Sequence, residues 1–199
     1  MEAFLTICGI TCGVIGAVVA GLPLYALPAT FSLPRGRRPG IEDLTLEEAA
    51  SQLRATGKTG MALVEAARAL VADRMHYCRR NSFDSPATAF RRGYGYCTQQ
   101  AYALVELLAR LQIEARAVYA FWNRFPDGIV GGHTWVRVAV TGEVRDVDSV
   151  CYDAETGELG FVPLSRVCEH TKLFKWLTQW GEAAVNAHRY YRTGKDVNS

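Results

Sequence analysis

The chain has 199 residues, 49% of them hydrophobic and 21% charged, with a formal net charge of +2. That length supports one compact domain with a core of its own plus a short extension. The near-neutral balance, with no Lys/Arg-rich run alternating with aromatics, argues against a nucleic-acid binder.

From Ala3 to Pro34 no side chain is charged, and Ala3 to Leu22 is almost wholly apolar. A helical run of about twenty apolar residues matches the hydrocarbon core of a bilayer, so residues 1–29 are expected to form a transmembrane anchor. The variant reading is an uncleaved signal, because the start Met1-Glu2-Ala3-Phe4 lacks a basic region and no convincing cleavage site precedes Pro23. Arg35, Arg37 and Arg38 follow the segment while Glu2 is the one charge before it. The positive-inside bias then places the rest of this single-pass chain in the cytoplasm, with the opposite side left open. Residues 30–43, rich in Pro, Gly and Arg, read as a linker, and residues 44–199 as the folded domain.

Thr45-Leu46-Glu47-Glu48 has capping-box spacing and predicts a helix to about Thr56, stopped by Gly57. Met61, Val64, Val71 and Met75 recur at helical intervals and predict a second helix over about Thr59 to Cys78. Asn81 to Tyr96 reads as a long loop with one short turn over Pro86 to Arg91. Ala101, Leu104, Val105, Leu108 and Leu111 form one stripe of a helix that begins at Cys97 and ends near Gln112. From Ile113 onward the pattern changes to β-favouring runs: Ala115 to Trp122, His133 to Val140, Glu143 to Cys151, and a hairpin around Thr156-Gly157. Val167 to Arg192 is expected as a C-terminal helix or helix pair, with Trp176, Trp180, Tyr190 and Tyr191 packed into the core. Helices preceding strands argue for an α+β fold, an antiparallel sheet packed on the helix that starts at Cys97.

Three segments concentrate the chemistry: Gly93-Tyr94-Gly95-Tyr96-Cys97, Gly132-His133-Thr134-Trp135 and Arg145-Asp146-Val147-Asp148. A thiol attacks only as thiolate, so it needs a base, a group to orient that base, and a field that favours negative charge. Cys97 at a helix start meets the last requirement through unpaired amides and the positive end of the helix dipole, and the same amides can donate to an oxyanion. If Thr141-Gly142 is a two-residue turn, Val140 pairs with Glu143, Arg137 with Asp146, Trp135 with Asp148 and His133 with Val150. Asp148 is then the diagonal neighbour of His133, while Asp146 faces Arg137 as an ion pair. The predicted catalytic set is Cys97, His133 and Asp148, with Asp146 the alternative third member.

The six cysteines do not form a disulfide framework, and the absence of Cys-x-x-Cys or His-x-x-x-His argues against a metal, so no cofactor is expected. Cys78, Cys151 and Cys168 read as small buried hydrophobes, and His76, His170 and His188 as helical residues without a role. Arg91, Arg92 and Arg137 are read as solvated before they are read as an anion site.

At these residues the sequence resembles the transglutaminase-like superfamily. Its members show a glycine-preceded Cys opening a helix that ends in a phrase like Gly-Ile-Pro-Ala-Arg, a His in His-Ala-Trp-Val-Glu-Val and an Asp in Val-Asp-Pro. The counterparts are Tyr96-Cys97-Thr98, Gln112-Ile113-Glu114-Ala115-Arg116, His133-Thr134-Trp135-Val136-Arg137-Val138 and Val147-Asp148-Ser149. Arg137, Ser149 and Gln112 depart from the family's Glu, Pro and Gly. The resemblance covers about Ser85 to Val150. It implies a papain-like α+β core and amide chemistry through a Cys-thioester on a peptide or protein substrate, with hydrolysis by a membrane-tethered peptidase or amidase favoured over cross-linking. One alternative is a catalytically inactive binding module on the same fold. The other is an arylamine N-acetyltransferase-like enzyme, whose Arg-Gly-Gly-Tyr-Cys and Asp-Val phrases resemble Arg92-Gly93-Tyr94-Gly95-Tyr96-Cys97 and Asp146-Val147, which would make Asp146 the third member.

Overall fold

The computed structural model describes residues 36–79, 82–153 and 155–193, together with Gly21 and Leu24. The anchor expected over residues 1–29 lies outside the described residues but for those two positions. Among the described residues no helix is long and apolar enough to cross a membrane.

Helix α1 (Leu46–Ala55) starts where the capping box places it: the Glu48 amide donates to Thr45 Oγ1 at 3.2 Å, and the Thr45 amide to Glu48 at 2.8 Å. Gly57 ends it with φ +69°. Helix α2 (Gly60–Arg74) stops four residues earlier than its apolar spacing suggests, because His76–Tyr77 leaves as strand β1 and pairs in parallel with β2 (Tyr94–Gly95). Between them α3 (Pro86–Arg92) forms a true helix where only a turn was expected, with Ser85 as N-cap and Pro86 in its first turn. Helix α4 (Cys97–Arg110) carries the apolar stripe, burying Ala101, Leu104, Leu107 and Leu108. The segment 36–43 is irregular and lies against this layer: the Arg38 amide donates to Arg92 O at 2.8 Å, and Arg91 binds Asp43 at 2.5 and 2.6 Å.

Gln112 closes α4 in the left-handed region, φ 61°, and the Ile113 amide reaches back to Leu108 O at 2.9 Å. That is the geometry for which helix ends favour glycine, which accounts physically for the residue this chain lacks in its Gly-Ile phrase. Gln112→Gly is expected to stabilise the fold by about 1 kcal/mol, because it removes the Cβ clash of an αL residue. Thermal unfolding of the two proteins checks this; an unchanged or lower midpoint would show that no strain resides there.

Strand β3 (Glu114–Arg124) pairs antiparallel with β4 (Val130–Val140), which pairs with β5 (Glu143–Val147). Short strands β8 (Val162–Pro163) and β9 (Cys168–Glu169) border β3 on its far side, and β6 (Tyr152–Asp153) and β7 (Glu158–Leu159) make the hairpin closed by Gly157. Thr141 and Gly142 both have positive φ, 49° and 85°, the two-residue turn that sets Val140 against Glu143 and Arg137 against Asp146. The main core lies between α1, α2 and α4 and one face of the sheet, where Val136, Val138 and Val140 are buried. A one-residue slip would turn these three valines to the other face, at roughly 2 kcal/mol each, so the register is strongly held. The opposite face packs Val118, Ala120 and Trp135 on Phe161.

The ladder departs from the expected register at its end. It stops at Val136 and Val147, so the anticipated pairs of Trp135 with Asp148 and His133 with Val150 do not form. The C-terminus also differs. The segment expected as helix from Val167 first gives β9, and α5 (Lys172–Thr193) begins at Lys172. Trp176, Tyr190 and Tyr191, expected in the core, are exposed, because helical spacing alone does not say which face meets the domain.

Candidate active site

Two glycines shape the approach to Cys97. Gly93 has φ +77° and a Cβ there would fall 2.3 Å from Ile41 Cδ1; a Cβ on Gly95 would fall 2.6 Å from Met75 Cε. The chain thus passes close under α2 before α4 begins. The Gln100 side chain donates to Met75 O and Gly95 O, both at 3.0 Å, and Gln99 accepts from the Tyr96 amide at 3.3 Å. These two glutamines fix the helix start. The sequence reading did not assign them, although the Tyr96-to-Gln99 spacing matches a helix-start pattern.

Cys97 is therefore the first residue of α4, and the amides of this first turn have no acceptor within the helix. His133 enters from β4, opposite Ala120 of β3. Its Nε2 lies 2.7 Å from Asp148 Oδ2, and its ring lines the same cavity as Cys97. With Nε2 held by the carboxylate, Nδ1 is the ring nitrogen left for a second partner. Asp148 sits just past the end of β5, in a turn where it also accepts from the Val150 amide at 3.2 Å and the Cys151 amide at 2.9 Å. Because the strand has ended, its carboxylate reaches the imidazole directly, without the diagonal relation a continuous ladder would impose. Asp146 meets Arg137, at 2.7 and 2.9 Å, as the register predicts.

Burial opposes a charge on the imidazole, but the hydrogen bonds with Asp148 and Cys97 outweigh it and raise His133 from its ordinary 6.5 to about 10. At neutral pH an imidazolium therefore stands between a carboxylate and a sulfur, the counter-charge that a thiolate needs. The raised value also sets a sign for stability. Protonated His133 contributes fully below about pH 6.5, and the contribution is lost as pH rises through about 10. Denaturant midpoints between pH 6.5 and 10 should fall less steeply in His133→Ala than in the parent; parallel slopes would mean that His133 is not the linked group.

Rings support the imidazole. Phe161 stands edge-on at 4.8 Å and Phe125 at 5.5 Å, and Trp135 stacks at 6.3 Å. Thr98 and Thr134 meet across the helix–sheet boundary at 3.2 Å. Cys97 and His133 open on a cavity of about 130 Å³ whose far wall is α5: Phe174, Thr178 and Glu182 at helical spacing. Phe174 stacks on Tyr119 at 3.9 Å, and Glu182 pairs with Arg79 at 3.1 Å. This wall was not legible in sequence, since nothing local links a C-terminal stripe to a thiol far upstream.

The other singled-out residues stay apart. Cys78, Cys151 and Cys168 are free thiols, Cys151 donating to Gly160 O at 3.2 Å. His170, pushed down to about 4 by burial and then by Lys175, packs as a neutral ring among Tyr102, Tyr119 and Phe174. His76 meets Tyr94 edge-on, and His188 lies on α5. Arg91, Arg92 and Arg137 are each engaged by an acid, Asp43, Asp84 and Asp146 in turn. Among the described residues no group of His, Cys, Asp or Glu could hold a metal.

The family model of the transglutaminase-like superfamily matches residues 47–148, just over half the chain, and runs from α1 to the carboxylate on His133. The chain belongs to the transglutaminase-like superfamily. No curated protein matches it. Two solved structures resemble this superfamily member. A candidate cysteine protease from Cytophaga hutchinsonii is 15% identical, with 63% of this chain and 48% of that one covered at a TM-score of 0.48. A candidate protease from Parabacteroides distasonis ATCC 8503 is 14% identical, with 52% and 22% covered at 0.41. The chain thus spans less than half of either. The matched segment of the superfamily contains Cys97, His133 and Asp148, and ends before β6 to β9 and α5.

Proposed function

We propose that this transglutaminase-like protein is a cysteine-dependent enzyme that opens an amide bond through a thioester, as a peptidase or amidase, with Cys97, His133 and Asp148 as nucleophile, base and orienting acid. The observation that carries it is one imidazole held between a helix-start thiol and a buried carboxylate at 2.7 Å. The Cys97 sulfur attacks the carbonyl carbon, and the electrons of the C=O bond move to oxygen. His133, holding the thiol proton, delivers it to the departing amine as the intermediate collapses to the thioester. Water, deprotonated by the then neutral His133, attacks the thioester and restores the thiol.

Trapping decides between the chemistries. Incubation with a glutamine-containing peptide and a labelled amine should release ammonia or a shortened peptide without incorporating label. Label incorporation would make it a cross-linking enzyme, and the absence of any acyl adduct on Cys97 by mass spectrometry would leave a binding module. We further propose that residues 1–29 tether the domain to a membrane with the domain on the cytoplasmic side, supported by the charge-free run from Ala3 to Pro34 and the arginines after it. Release of the full chain from membranes by carbonate alone would contradict the tether.

A further inference from the structure

Helix α5 has two faces with different surroundings. One lines the catalytic cavity with Phe174, Thr178 and Glu182; the other turns Leu173, Trp176 and Leu177 to solvent, 68%, 44% and 47% exposed. Residues three and four apart lie side by side on a helix, so these form one continuous apolar stripe and not scattered surface positions. Phe121, itself exposed, meets Phe174 at 5.6 Å and lines the cavity, which carries the apolar surface to the cavity rim.

The charges on α5 limit what this face fits. Lys172, Lys175, Arg189 and Arg192 stand against one acid, Glu182, and that carboxylate is turned inward to Arg79 at 3.1 Å. Lys175 lies 4.0 Å over the Tyr102 ring, while Lys172, Arg189 and Arg192 are exposed. Leucine and tryptophan on one face, with an excess of lysine and arginine beside them, match the interface of an anionic bilayer: apolar residues among the acyl chains, cations at the phosphates.

Position favours lipid over a protein groove. The chain that follows the charge-free run from Ala3 to Pro34 meets the domain at Gly36, whose carbonyl accepts from Arg92 at 3.3 and 3.4 Å. Arg92 is paired with Asp84, the neighbour of Phe83, and the Phe83 ring stands edge-on to Trp180 of α5 at 4.6 Å, with Trp176 next at 6.2 Å. The place where a membrane-entering run would leave the domain is thus joined to the aromatic face of α5 by one continuous set of contacts.

We propose that the Leu173, Trp176 and Leu177 face of α5 lies in the headgroup region of an anionic membrane, so that the cavity of Cys97 opens at the lipid surface. The helix lies on the bilayer and does not cross it, being too polar to span. This rests in part on the tether proposed above, but the two fail separately: carbonate extraction reports residues 1–29, and what Trp176 touches reports α5.

The full chain, reconstituted into vesicles of phosphatidylcholine and phosphatidylserine in equal parts, is read by tryptophan fluorescence with and without bromine on the acyl chains, which quenches rings in contact with them. The parent should be quenched, and Trp176→Phe should remove more than about half of that quenching, because Trp135 is buried and Trp180 packs on Phe83. Absence of quenching, or quenching that persists in Trp176→Phe, overturns the proposal. Vesicles of phosphatidylcholine alone should quench at most about half as strongly, and equal quenching would remove the role of the cations and with it the anionic partner. Leu173→Glu with Leu177→Glu should abolish the quenching while leaving acylation of Cys97 by p-nitrophenyl acetate in detergent within about twofold, as surface changes do. A dimer that this pair dissolves, with Trp176 unquenched in the parent, would make the face a contact between copies of the chain and overturn the lipid assignment. Carbonate release with quenching intact would remove the tether and leave α5 on the membrane.

Discussion

At pH 6, iodoacetamide is expected to modify Cys97 about 10²-fold faster than Cys78, Cys151 or Cys168. An ordinary thiol is roughly 0.3% ionised at that pH and only the thiolate attacks, so a thiol with the His133 imidazole at hand to take its proton should react ahead of the others. Accessibility predicts a different order, since Cys97 is only 9% exposed while Cys151 and Cys168 are both more open. Cys151 is held back further: burial, then Asp148 and Asp127, raise its pKa. A preference for Cys97 would thus be electronic in origin. In His133→Ala the order should reverse, with Cys97 falling behind Cys151 and Cys168, because the counter-charge is gone and the burial remains. Peptide-resolved mass spectrometry over a time course reads all four sites at once. A ranking that follows exposure in the parent protein would remove the nucleophile.

Asp148→Asn should lower the turnover of p-nitrophenyl acetate by about 10³-fold or more, against less than about threefold for Asp146→Asn. Asp148 is 2% exposed, and its oxygens accept from three N–H donors: His133 Nε2, Val150 and Cys151. An asparagine has one oxygen where the carboxylate has two, so its NH2 must face a donor, and the ring loses both its counter-charge and its fixed tautomer. Asp146 is bound to Arg137 on a partly exposed part of the sheet and touches neither His133 nor Cys97. Removing the carboxylate altogether, Asp148→Ala, should also destabilise the fold by about 3 to 5 kcal/mol, the usual consequence of leaving one member of a buried pair behind. Comparable losses in Asp146→Asn would instead favour the arylamine N-acetyltransferase-like assignment.

Much of this site was legible residue by residue. The apolar stripe after Cys97 identifies a helix start, the two positive-φ residues Thr141 and Gly142 follow from a Thr-Gly turn, and the pairing of Arg137 with Asp146 follows by counting from that turn. Counting fails two residues later. A ladder ends when its partner strand turns away, and Asp148 turns away because its carboxylate satisfies the Val150 and Cys151 amides. The carboxylate of Asp148 lies 2.7 Å from His133 Nε2, but by way of this turn and not of the continuous ladder that counting implies.

Helix starts, turn types, strand parity and the order of thiol, imidazole and carboxylate were written in the chain itself, because each depends on interactions within a few residues: capping, φ preference and the alternation of a strand. The tertiary structure alone decided which distant groups face the sulfur. Phe161 behind the imidazole and the Phe174, Thr178 and Glu182 stripe across the cavity come from separate elements. What brings them together is the burial of apolar faces, a force with no direction and no sequence range.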